Sequence, residues 1–151
     1  MKKVLFSVVL LFCGAWLLQS CDKDRTLTIT PSMTATIGTG YFAADYVEPA
    51  LVKSQINDTG TTLVIRGYQV STKDTVIISV TKYNELPGNF SIVQGLASMS
   101  YYHNGTHYYY SGGLVGIKDA AGNVINGTFN SNVGTPTIAN GTFVCGKPWV
   151  Y

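Results

Sequence analysis

Past residue 26, apolar side chains alternate with Thr, Ser and Tyr in short runs, and clusters of Gly, Asn, Asp and Pro interrupt them every ten or so positions. Alternation with a period of two places successive side chains on opposite faces of a strand, and no stretch reads as a helix. The clearest strands cover residues 61–70 and 75–83. In the first, Leu63 and Ile65 face one way while Val64 and Tyr68 face the other. In the second, Val76, Ile78 and Val80 oppose Thr75, Ile77, Ser79 and Thr81. Ser71-Thr72-Lys73-Asp74 joins them, short enough for a hairpin. Further strands are expected at 27–30, 34–37, 41–44, 90–93, 114–118, 124–129 and 137–145, with turns at 57–60, 86–89 and 119–123 between them.

Short connections favour antiparallel neighbours, so the pattern predicts an all-β meander of about eight to ten strands. A sheet that long must curl, close on itself or split into two layers. The expected fold is an up-and-down barrel of the lipocalin or streptavidin general kind, with a two-sheet β-sandwich as the alternative. A weak echo lies near the end, where Asn126-Gly127-Thr128-Phe129 returns as Asn140-Gly141-Thr142-Phe143. Gly inside a strand marks a bulge or a close backbone approach. These are therefore read as paired strands, each bent at its Gly with a Phe pointing inward, a corner device of a barrel.

The first residues are of another kind. Met1-Lys2-Lys3 is basic, and residues 4–18 form an apolar run. At 1.5 Å per residue that run spans roughly 22 Å, short of the ~30 Å hydrocarbon core, so it predicts a signal peptide and not a membrane span. Leu18-Gln19-Ser20-Cys21 resembles the bacterial lipobox. The resemblance implies lipidation of Cys21 and cleavage before it, which divides the chain into signal peptide 1–20, a tether 21–26 and a single domain 27–151. Several acyl chains at ~0.8 kcal/mol per buried CH₂ make a stable anchor, so the membrane itself is the first expected partner. The acidic Cys21-Asp22-Lys23-Asp24 start resembles the export signals of Bacteroidetes surface lipoproteins. The implied address is the outer membrane, facing the periplasm or the cell surface.

Composition narrows the function classes. Charged residues make up 12% of the chain against a typical ~25%, and hydrophobic ones 46%, too apolar for a disordered polypeptide. The formal charge of +2 resides in Lys2 and Lys3, so the chain from Cys21 onward is formally neutral. That excludes nucleic acid as an expected partner, because such binding needs clustered Lys and Arg. Cys13 leaves with the signal and Cys21 is lipidated, leaving Cys145 as the one mature thiol. Its alternation with Phe143 predicts a small buried hydrophobe, not a nucleophile.

The run Gly113-Leu114-Val115-Gly116-Ile117-Lys118, the Gly-Thr-Phe pair after it and the earlier Met33-Thr34-Ala35-Thr36-Ile37 strand resemble a domain family of unknown function common in small Bacteroidetes lipoproteins. The resemblance implies the compartment and an all-β fold, and brings no activity or site with it.

Candidate chemistry centres on residues 100–111. Asn104-Gly105 is a two-residue hairpin signal, because a type I′ turn needs positive φ at both central positions. Centring the turn there pairs His103 with Thr106, Tyr102 with His107 and Tyr101 with Tyr108. Tyr101, His103, Tyr108 and Tyr110 then share one face, which makes them the candidate binding surface for a glycan or a protein partner. His103 and His107 point to opposite sides, so no metal site is expected there. No nucleophile elbow, zinc-protease motif or phosphate loop is present, and no cofactor is implied. The acids, Asp74 among them, sit in turn-like contexts, and no catalytic residue is assigned. Asp74-Thr75-Val76 resembles the O-glycosylation motif of exported Bacteroidetes proteins, with Thr75 as the acceptor. The expectation is a non-catalytic binding module for a glycan, a small ligand or a protein partner, with a packed interior. A structural envelope protein or complex subunit is the alternative, and a hydrolase with carboxylates brought together from distant turns comes third.

Overall fold

The computed structural model describes residues 29–53, 60–119 and 122–148, and those residues form eleven strands and no helix. In chain order they are β1 (Ser32–Ile37), β2 (Gly40–Ala43), β3 (Tyr46–Lys53), β4 (Thr61–Gln69), β5 (Asp74–Val80) and β6 (Gly88–Ser91). Then come β7 (Ala97–His103), β8 (Thr106–Tyr109), β9 (Leu114–Asp119), β10 (Val124–Ser131) and β11 (Ile138–Gly146). One antiparallel sheet runs in the order β2-β1-β11-β10-β9-β6, the other in the order β3-β4-β5-β7-β8. The signal peptide 1–20, Cys21 with its tether 21–26, and Asn57 to Thr59 of one expected turn lie outside the described residues.

The all-β expectation holds, but the barrel does not. Neither sheet closes, so the fold is the two-sheet sandwich. The chain leaves the first sheet after β2, deposits β6 back in it beside β9, and returns for good at β9. Each sheet therefore keeps two free edges and buries its apolar face against the other. Met33 of β1, Ile125 and Phe129 of β10 and Phe143 of β11 meet Leu63 and Ile65 of β4, Val76 and Ile78 of β5 and Met99 of β7 in one continuous core. The two layers approach closely at Gly67 of β4, where a Cβ would stand 2.5 Å from the Met33 sulfur. Between the sheets that interior is packed, but at one end it opens into a cavity lined in part by polar groups, which the expected solid interior left out.

Among the described residues the strands number eleven and not eight to ten. β3 escaped the pattern because Pro49 interrupts it and only Val47 is buried. Proline loses a ladder hydrogen bond, and β3 tolerates one because it is an edge strand. At the other extreme Ile29 and Thr30 of the expected 27–30 strand are irregular, and pairing starts at Ser32.

The Asn-Gly-Thr-Phe echo becomes a reciprocal lock, not a barrel corner. β10 and β11 pair so that Gly127 lies opposite Phe143 and Gly141 opposite Phe129. Each ring covers the other strand's glycine, and both rings are buried, 6.4 Å apart between centroids. Asn140, with φ at 52°, adds a bulge just before Gly141.

Cys145 is buried, and burial pushes its thiol from 9.0 up to about 12. Burial also raises the Tyr110 hydroxyl to about 12. The unfolded chain releases these protons first, so above about pH 9 the native state holds more protons and stability falls as pH rises. For the thiol alone the loss reaches about 4 kcal/mol as the pH climbs toward 12. Urea midpoints measured from pH 8 to 11 should fall steeply in the wild type and less steeply in Cys145→Ala. Equal slopes in the two proteins would remove the thiol as the cause.

Candidate ligand-binding site

The hairpin of β7 and β8 forms as its sequence dictates. Asn104 and Gly105 have φ of 48° and 80°, and His103, Tyr102 and Tyr101 pair with Thr106, His107 and Tyr108. Parity then sends Tyr101, His103 and Tyr108 to the inner side of the sheet and Tyr102, His107 and Tyr109 to the outer side. On the inner side the Tyr101 ring stacks between His103 at 5.8 Å and Tyr108 at 5.9 Å.

These rings do not make the expected surface. Tyr101 is 7% exposed and Tyr110 5%, and both belong to the core. Their face continues the row of Val76, Ile78 and Met99, so the opposite, six-stranded sheet covers it. Each hydroxyl still finds a partner, as buried tyrosine requires. Tyr101 Oη donates to Asp74 Oδ2 at 2.9 Å, and Tyr110 Oη donates to the Pro136 carbonyl at 2.7 Å. Burial, with the hydrogen bond to Asp74 next, raises the Tyr101 hydroxyl far above its ordinary value. His103 and Tyr108 stay half-buried at the open end.

Asp74, expected from the sequence to be a turn acid, is instead part of this candidate site. It is the first residue of β5, 6% exposed, and faces inward with Val76, Ile78 and Val80. The signal was present in the period-two parity of that strand, which puts position 74 on the buried side. Its Oδ1 lies 2.5 Å from His103 Nδ1, one step beyond the register pair Thr75 and Tyr102. A carboxylate leaves water only when its oxygens are satisfied, and here a phenol and an imidazole satisfy them. With the Nδ1 proton directed at Asp74, His103 Nε2 is left as an acceptor, and the Asn104 side-chain amide donates to it at 2.9 Å. The result is a chain from Tyr101 through Asp74 and His103 to Asn104, ordered from the core to the solvent.

Around this chain lies an open cavity of about 320 Å³ at one end of the sandwich. Phe42 of β2, Tyr101 and Tyr108 give it apolar walls, while Gln69, Asp74 and His103 supply polar groups. Tyr41 stands exposed at its rim. Asp74 is the one carboxylate among the lining residues. No group of three or more His, Cys, Asp or Glu side chains is placed to hold a metal ion among the described residues. Thr75 points to the outer face of the sheet, half-buried between Tyr68 and Tyr102 in register. Comparison of the chain with protein-family models, with curated proteins and with solved structures gives no match.

Proposed function

We propose that this protein is a lipoprotein of a Gram-negative outer membrane, anchored through Cys21, whose β-sandwich is a non-catalytic binding module. The cavity at the end of the sandwich supports this reading. Its volume of about 320 Å³ sits at the lower end of the ~300–1,000 Å³ typical of ligand pockets. Rigid rings on its walls and a few convergent polar groups suit a small neutral ligand with hydroxyls, a monosaccharide first of all. His103 Nε2 would accept a ligand hydroxyl by exchanging its bond to Asn104, while Asp74 keeps the imidazole in place.

Amide shifts followed during titration with neutral monosaccharides test the site. Residues around Asp74, His103 and Gln69 should move together, and His103→Ala should weaken the effect at least tenfold. A panel in which no sugar perturbs them, or an effect untouched by His103→Ala, removes the cavity as the site.

The anchor has its own test. Cys21→Ala should remain uncleaved by the lipoprotein signal peptidase and fail to incorporate labelled palmitate. Unchanged processing and membrane association of that variant would refute lipidation at Cys21.

A further inference from the structure

The outer face of the five-stranded sheet carries a second concavity, of about 190 Å³, lined by Tyr46, Glu48, Arg66 and Tyr68. The register of β3 with β4 builds it: Tyr46 lies directly opposite Tyr68, and Glu48 directly opposite Arg66. All four point outward because Val47, Ile65 and Gly67 between them are buried. Tyr46 is 62% exposed.

Glu48 and Arg66 stand where a cross-strand ion pair is expected, with Cβ atoms about 5 Å apart. Even so, neither forms an ion pair or hydrogen bond with another group among the described residues. Among the described residues the concavity is thus flanked by an unpaired acceptor and an unpaired set of donors, with two tyrosine rings beside them. The same row continues across the sheet, from Tyr68 to Thr75, Tyr102 and His107 in direct register. The rings of Tyr102 and His107 lie 5.7 Å apart, and those of His107 and Tyr109 4.0 Å, with Tyr109 75% exposed. Four inter-strand steps of ~4.8 Å make the row roughly 19 Å long.

We propose that this row binds a neutral polysaccharide chain. Tyr46 and Tyr68 stack on one sugar ring while Glu48 and Arg66 take its hydroxyls, and Tyr102, His107 and Tyr109 carry the next units. The electron-rich faces of the rings attract the C–H faces of sugars. A polyhydroxylated chain matches a site that offers an acceptor and donors with no net charge. An anionic polymer finds only Arg66, offset by Glu48. Tyr and Arg are enriched at protein–protein contacts as well, but Glu is depleted there, and Glu48 lines this concavity directly opposite Arg66. The platform is separate from the end cavity and stands or falls without it.

Affinity electrophoresis of the full lipidated chain in detergent micelles, through gels holding a neutral β-glucan, an arabinoxylan or a galactomannan, tests the proposal. At least one polysaccharide should retard the protein. The double variant Tyr46→Ala/Tyr68→Ala should lose at least tenfold in affinity, with its far-UV circular dichroism unchanged. The double variant Glu48→Gln/Arg66→Gln removes both charges from an exposed position while leaving the tyrosine rings in place and should lose severalfold, which guards against a folding defect in the first. Retardation by none of the three, or equal retardation of both double variants and the wild type, overturns the proposal. Retardation that follows His103→Ala instead of the tyrosine pair overturns it too, and moves the chain to the end cavity. A concentration-dependent dimer abolished by the tyrosine substitutions overturns it in favour of a second copy.

Discussion

Gly127→Ala should cost about 3 kcal/mol and lower the melting midpoint by roughly 10 °C. A Cβ at that position would run into the Gly116 carbonyl oxygen of β9 and stand 2.5 Å from the Phe143 ring. Both obstacles are fixed, one as backbone in a central ladder and the other as a fully buried ring. Gly141→Ala should behave alike, because its Cβ would meet the Phe129 carbonyl oxygen and, at 2.6 Å, the Phe129 ring. Gly40→Ala serves as the control, since its Cβ would have only the Ile37 carbonyl oxygen nearby, at an ordinary 3.5 Å. Thermal melts of the three variants decide the matter. A Gly127→Ala protein as stable as Gly40→Ala would mean that the reciprocal glycine and phenylalanine packing does not hold the two strands.

Asp74→Ala carries the second large effect. Truncation leaves the buried Tyr101 hydroxyl and the His103 Nδ1–H without their acceptor, at a cost of about 3 kcal/mol. It also frees the imidazole to rotate, so sugar binding in the end cavity should fall with stability. Asp74→Asn should retain one acceptor and cost about half as much. Urea unfolding of Asp74→Ala, His103→Ala and the double variant measures the coupling, which should be about 1 kcal/mol or more for groups in direct contact. Additive losses would show that the carboxylate and the imidazole do not support each other.

Much of this molecule follows from its sequence alone. Period-two alternation sets Leu63 and Ile65 on one face of their strand, and Val76, Ile78 and Val80 opposite Thr75, Ile77 and Ser79 on theirs, and the structure keeps that division and buries Leu63, Ile65, Val76, Ile78 and Val80. Asn104-Gly105 determines the hairpin and its register, hence which aromatic rings share a face. These features are local, set by the pleat and by the positive φ of two residues. Tertiary structure decided the rest. The pairing of β1 with β11 brings Thr34 to Thr142, 108 residues away, while the edges β2 and β6 of that sheet stay unpaired with the edges β3 and β8 of the other, which leaves two open sheets instead of one closed barrel. No local pattern encodes it, because an alternating strand accepts any neighbour of matching parity. The same holds for the site. Parity buries Asp74, but only the stacking of the two sheets makes the Tyr101 side an interior and leaves His103 at its mouth. A shared face becomes core or surface according to what the opposite layer covers, and that depends on every strand at once.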